Sequence, residues 1–171
     1  MILGKSIMGN PVITVSNGRS IGKVRDVYLT ADRRAVAAIY LGSEGLFSRE
    51  SFLIKRDNVV TIGEDAVLVS HAQVVQKEKD VAEAEEEWLR RDELQGRPVD
   101  TPGGTKVGKI GDIVINIEGN ILGFSLSQVY VDGPIAENRA IAIHTVQDMG
   151  DEDGVMTIDL KEAESQELSV D

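Results

Sequence analysis

Two aspartates carry the strongest chemical signal in the sequence. Asp26 and Asp112 stand 86 positions apart, each inside the pattern Gly-x-x-(Val/Ile)-Gly-Lys-(Val/Ile)-x-Asp-(Val/Ile). A carboxylate held at one place in both copies could act as a general acid or base or as a ligand, but acid–base work needs a matched second group. No second carboxylate or histidine recurs beside either copy, so the expected role is acceptor for exposed backbone N–H groups in a bulge or the following turn. The two histidines, His71 and His144, fall at non-matching positions and there is no cysteine, so a zinc site is not expected. Gly103-Gly-Thr-Lys-Val-Gly108 is rich in glycine, yet no Walker loop, dinucleotide fingerprint or Gly-x-Ser-x-Gly elbow is present. Asp151-Glu-Asp-Gly154 lacks the ligand spacing of an EF-hand. The expectation is a protein that is not an enzyme and needs no cofactor or metal.

What remains is chemistry suited to contact with a partner. Arg33, Arg34, Arg49, Lys55 and Arg56 form the only concentration of positive charge, and with them stand Leu46 and Phe47 in Gly42-Ser-Glu-Gly-Leu-Phe-Ser-Arg-Glu-Ser-Phe52. Leu46 and Phe47 have two readings, a lid folded over a barrel end or a binding knob. The single tryptophan, Trp88, has two as well, packing on or between the modules or contact with a dimer mate or partner. The net charge of −11 is unevenly spread. Residues 1–72 hold 9 Lys/Arg against 7 Asp/Glu, residues 73–95 hold 4 against 8, and residues 96–171 hold 5 against 14. So acidic a second half repels phosphate backbones, and only the first module could meet RNA or an acidic partner.

The elements that position these residues follow from a duplication. Gly9-Asn-Pro-Val and Gly96-Arg-Pro-Val open the copies, and the match after Gly18 and Gly104 runs without a gap to Leu41 and Ser127. Short β-rich runs separated by Gly, Pro and Asn turns indicate a sandwich or barrel. Within the signature the apolar alternation slips at Ile21, Val24 and Val27, and again at Val107, Ile110 and Ile113. Such slips predict a β-bulge that bends the strand, with Gly22 and Gly108 relieving it. Small barrels of this kind have no interior cavity; Val24, Ile39, Ile62 and Val67 are expected to fill the first. Residues 72–95 contain no Gly or Pro, place Val74, Val81, Ala84 and Trp88 at helical spacing, and predict a connecting α-helix stopped by Gly96 and Pro98.

The Gly-x-Pro-Val start followed by the Gly-Lys-x-x-Asp signature resembles the PRC-barrel family, named for the H subunit of photosynthetic reaction centres and shared with the C-terminal domain of the ribosome maturation factor RimM. The resemblance implies an all-β chain of two small antiparallel β-barrels joined by an α-helix: a first barrel at 1–71, a connecting helix at 72–95, a second barrel at 96–161 and a fraying acidic tail at 162–171. It implies a non-catalytic adaptor that docks on a larger assembly through a protein partner. Two alternatives stay open: a ribosome-maturation or RNA-associated factor acting through the first barrel, and a reaction-centre assembly or H-subunit-like protein. A homodimer is also open. Unlike the H subunit, the sequence has no segment near the roughly 20 apolar residues of a membrane span and no signal peptide at its start, so a soluble, cytoplasmic protein without direct membrane insertion is expected.

Overall fold

The computed structural model describes residues 1–43, 50–81, 87–166 and 168. The chain divides into two compact units: unit 1 holds Met1–Arg91 with Ile115–Asn120, and unit 2 holds Asp92–Val114 with Ile121–Asp171. Unit 1 therefore runs past residue 71 and includes six residues from the span expected for the second barrel.

Unit 1 is built from short strands in chain order: β1 (Ile2–Leu3), β2 (Pro11–Thr14), β3 (Ser20–Lys23), β4 (Asp26–Leu29), β5 (Val36–Ser43), β6 (Ser51–Lys55), β7 (Val59–Ile62), β8 (Val67–Val69), β9 (Gln76–Lys77) and β10 (Leu89–Arg90). Strands β2 to β10 form a four-stranded sheet in the order β3-β2-β8-β7 and a five-stranded sheet in the order β10-β4-β5-β6-β9. Val24, Ile39, Ile62 and Val67 are completely buried, the close-packed interior expected of a small barrel. Within the same unit, Val36 N–H donates to Gly119 O at 2.8 Å and Ile62 N–H to Ile117 O at 2.9 Å.

Unit 2 contains β11 (Pro98–Asp100), β12 (Lys106–Ile115), β13 (Ile121–Val129), α1 (Pro134–Asn138), β14 (Ala140–Ala142), β15 (Val146–Asp148), β16 (Met156–Ile158) and α2 (Leu160–Ser165). Its strand order is β14-β13-β12-β11-β16-β15. Val99, Ile110, Ile113, Phe124 and Ile158 are completely buried.

The expected bulge is present in each unit. In β2:β3 the register steps from Val12↔Gly22 to Ile13↔Ser20, leaving Ile21 extra. In β11:β12 it steps from Val99↔Gly108 to Asp100↔Lys106, leaving Val107 extra. One additional residue bends the strand and raises its local twist, which lets the signature of unit 1 leave one sheet as β3 and enter the other as β4.

Two expectations are corrected. The described part of residues 72–95 is not an α-helix: it forms 3-10 turns at Ala72–Val74, Glu78–Asp80 and Arg91–Leu94 and the two short strands β9 and β10. Helix propensity is a weak prior, and here sheet pairing and burial override it. β10 pairs with β4 through Leu89↔Leu29 and Arg90↔Tyr28, and β9 pairs with β6 through Phe52↔Lys77 and Leu53↔Gln76. Val81 packs with Ala38 and Leu53, and Trp88 lies against the same cluster, so these two apolar residues cover a sheet. The tail is corrected in part: Leu160–Ser165 is the helix α2, whose N-cap Asp159 accepts Glu162 N–H at 2.9 Å. Ala163 and Leu168 are buried, which gives this acidic stretch a reason to stay folded.

Two predictions follow from this packing. A Cβ on Gly108 would stand 2.2 Å from the Gln128 carbonyl oxygen, so Gly108→Ala must push β12 and β13 apart; calorimetry is expected to show a loss of about 1–3 kcal/mol. The second concerns Glu50, which pairs with Lys79 at 2.7 Å and Lys77 at 3.0 Å. Hydrogen bonds from Lys79 and then Lys77 hold the Glu50 carboxyl below its ordinary range. A lowered carboxyl contributes stability above its unfolded pKa, about 4.3 for Glu, and loses it as pH falls through the lowered value. Amide protection factors across β6:β9 are expected to drop in that acid window in the wild type and to show no such step in Glu50→Gln.

Candidate interaction site

The bend between β3 and β4 is held by a buried ion pair. Asp26 Oδ1 accepts Val27 N–H at 2.9 Å and Arg91 Nε–H at 2.9 Å, and Arg90 Nε stands 4.0 Å from Oδ2. Asp26 is 3% exposed and Arg91 7%. The backbone acceptor role expected for the repeated aspartates is present in both units, since Asp112 Oδ1 accepts Ile113 N–H at 2.9 Å. The arginine partner of Asp26 was not legible, because Arg91 lies 65 residues away in a stretch that reads as helix.

An aromatic row grows out of this pair. The Arg90 guanidinium lies 4.3 Å above the Tyr40 ring, a cation–π contact. Tyr28 meets Tyr40 edge-on at 5.9 Å and leans on Trp88 at 5.9 Å. The Tyr28 hydroxyl donates to Glu78; burial first, and the Glu78 carboxylate second, push this phenol far above its usual range. The cluster is therefore a polar lock on the sheet. Its groups already have partners, so it offers no poised acid or base.

A cleft of about 330 Å³ opens where β3 ends, in unit 1. Ile21, Leu41, Phe52 and Val75 give it an apolar lining, Lys23 and Arg25 supply two exposed cations, and Gly22, Gly42 and Ser43 contribute backbone. Gly42 has φ +82°, and a Cβ there would lie 2.9 Å from Arg25 Cγ, so the Arg25 stem rests directly on that glycine. Among the described residues no carboxylate lines this cleft. An anionic group about 4 Å from one of these cations would gain roughly 1 kcal/mol in water and about 4 kcal/mol at the effective dielectric of a protein surface. Unit 2 has a smaller cleft of about 270 Å³ that combines Lys106 and Lys109 with Asp100 and Tyr130.

The residues singled out from sequence are distributed differently. Arg33, at φ +57°, donates from Nη1 to the carbonyls of Thr30 and Glu87, each at 3.2 Å, and also to Ala31 O. Its guanidinium thus ties down the β4–β5 turn. In the same turn the Thr30 hydroxyl, the strongest influence, holds the Asp32 carboxyl below its usual range, and Arg34 is exposed. Arg56 donates to Val59 O at 3.4 Å, and its Nε would be 2.8 Å from a Cβ on Gly119. Trp88 is half-buried on the sheet of unit 1. Leu46, Phe47 and Arg49 lie outside the described residues. Lys23 was within reach of sequence reasoning as the repeated cation of the signature, with Arg25 at its variable position where the second copy has Gly111, but nothing in the spacing places Phe52 and Val75 beside them. Among the described residues no group of three or more His, Cys, Asp or Glu could hold a metal ion.

Removing one member of a buried pair leaves an uncompensated charge. Asp26→Ala and Arg91→Leu are each expected to cost about 3–5 kcal/mol in urea denaturation. The double variant Asp26→Ala/Arg91→Leu should cost less than the two single losses together, because neither charge is then stranded. Strict additivity would refute the pairing.

The comparisons with known proteins agree with this geometry. A family model described as the PRC-barrel domain matches residues 1–75, the stretch that contains β1 to β8 and the bent signature. The chain is 38% identical over 63 residues to a Bacillus subtilis (strain 168) protein named "Probable sporulation protein YlmC", an alignment covering 34% of this chain and 78% of that protein. With its signature folded as a bulged, bent strand and its first 75 residues matched in this way, the chain belongs to the PRC-barrel family.

Proposed function

We propose that the chain is a non-catalytic adaptor, two PRC-barrels in tandem that dock a protein partner onto a larger assembly. The observation that carries this reading is the cleft of unit 1, in which an apolar lining meets Lys23 and Arg25 with no lining carboxylate among the described residues. Such a surface suits a protein segment that brings both apolar side chains and a negative charge. The filled interior of the unit suits binding at the surface, since Val24, Ile39 and Ile62 leave no room for an enclosed substrate.

The tandem reading rests on matched detail. The bulge falls at Ile21 and at Val107, the aspartate accepts the next residue's N–H at 2.9 Å in both units, and β2 pairs parallel to β8 as β11 does to β16. The charge contrast between residues 1–72 and 96–171 favours two different partners, and two linked sites gain effective concentration on one assembly. An RNA contact through the first barrel is the weaker reading, because Arg33 and Arg56 already donate to backbone carbonyls while Arg34 remains exposed.

The test is affinity purification of the tagged full chain from its own cells, cross-linked and divided into nuclease-treated and untreated halves. Partners that survive nuclease and fall at least tenfold with Lys23→Glu/Arg25→Glu are expected. Ribosomal proteins that vanish with the RNA, or no enriched protein at all, would overturn the adaptor reading.

A further inference from the structure

Unit 1 leaves a seam in its wall where unit 2 closes one, and the difference lies in backbone hydrogen bonding. β3 is the terminal strand of its sheet, paired only with β2. Val24 gives both of its backbone groups to the β2 side, its N–H to Asn10 O at 2.9 Å and its C=O to Gly9 N–H at 2.7 Å. Backbone direction alternates along a strand, so the N–H and C=O of Lys23 face the opposite way, into the cleft. On the far side, β5 keeps β4 as a neighbour only as far as Tyr40, whose carbonyl accepts Arg25 N–H at 2.8 Å. Beyond Tyr40, strand β5 pairs, among the described residues, with β6 alone.

In unit 2 the equivalent edges meet. Tyr130 N–H donates to Val107 O at 2.8 Å, and the backbones run so close that a Cβ on Gly108 would be 2.2 Å from Gln128 O. In unit 1 a Cβ on Gly22, the counterpart of Gly108, would have, among the described residues, only the Leu41 methyls within 4 Å, at 3.8 Å. The cause of the opening is readable in β5. Its register against β6 steps from Tyr40↔Leu53 to Gly42↔Phe52, leaving Leu41 extra, and Gly42 takes φ +82°. This bulge swings the strand end off β3, whereas Ser127 and Gln128 continue the unbroken run of β13. The cleft of unit 2 lies over β11 and β12, which are already paired with each other, so it presents no second open edge.

We propose that the seam of unit 1 is a strand acceptor: an extended segment of a partner protein, alternating apolar and acidic residues, inserts beside β3 and completes the barrel wall. Main-chain bonds to Lys23 and to the Ile21 carbonyl, the counterpart of the Val107 carbonyl that Tyr130 uses, supply the pairing. Alternate side chains of the segment enter the apolar lining at Leu41, Phe52 and Val75, and those between them meet Lys23 and Arg25. An acidic rather than basic segment is favoured because, among the described residues, the lining side chains bring two cations and no carboxylate. This inference rests on the adaptor reading and specifies the chemistry of its partner.

The test pans a library of displayed random decapeptides against the immobilised full-length chain, with counter-selection on Lys23→Glu/Arg25→Glu, whose exposed positions leave the core untouched. Enriched sequences are expected to alternate apolar residues with Asp or Glu, to lack proline in the core, and to shift the amide resonances of residues 20–23 and 41–43. A synthetic version N-methylated at every second residue should lose at least tenfold in affinity in one phase of the alternation and little in the other, the signature of strand pairing. Failure to enrich, resonance shifts confined to other surfaces, equal loss in both phases, or occupation of the seam by a second copy of the chain would each overturn the proposal. A native partner captured without seam involvement would leave the adaptor reading standing and remove this one. Seam-binding peptides without any native partner would do the reverse.

Discussion

The architecture depends on how a strand can leave one sheet and enter another without abandoning its backbone hydrogen bonds. The answer is a carboxylate at the corner. Asp26 accepts the N–H of Val27 at the start of β4, where a buried donor left unmatched would cost about 1–3 kcal/mol. The carboxylate must itself be compensated because it is buried, and Arg91 does this from the strand-and-turn segment that crosses the edge of the five-stranded sheet. Corner, edge cover and aromatic row are therefore one construction: Arg90 sits on Tyr40, Tyr40 meets Tyr28, and Tyr28 meets Trp88.

Much of this was legible in the sequence, for physical reasons. A β-bulge changes side-chain parity by one residue, and the change is visible as a slip in apolar alternation, so Ile21 and Val107 announced themselves. The role of Asp26 and Asp112 as backbone acceptors could be read from the lack of a recurring second carboxylate or histidine beside them. The described part of residues 72–95 departs from the expected helix because composition and spacing satisfy a helix while local preference carries no information about the open edges of β4 and β6. Those edges are created by residues distant in sequence, and satisfying them outweighs propensity. The same blindness to distant contacts hid Arg91 as the partner of Asp26 and hid the cleft itself, whose lining brings Ile21, Leu41, Phe52 and Val75 together from four separate segments. The acidic end was expected to fray, yet one capping aspartate and two buried side chains, Ala163 and Leu168, fold it.

The copies are most informative where they part. Both use the same bulge and the same aspartate, but the match ends at Leu41 and Ser127, and immediately beyond that point the two strands behave differently. Leu41-Gly42 forms a second bulge and turns away from β3; Ser127-Gln128 continues and meets β12. Among the described residues, the two copies thus differ in how closely this strand end approaches its neighbour. Charge diverges in step, with the open wall lined by cations and the acidic excess carried by residues 73–171. In both units the interior is a packed core, and the described copies part at these strand ends.

The central claim is that the wall of unit 1 is open in the free protein, with the β3 backbone facing an unfilled partner position. Residue-resolved amide hydrogen exchange on the free chain tests it within a single strand. Val24, bonded to Asn10 O at 2.9 Å, is predicted to be strongly protected, and the adjacent Lys23 N–H to exchange as an unpaired edge amide. Equal, strong protection of Lys23 and Val24 would mean that the seam is already closed, and would contradict the account.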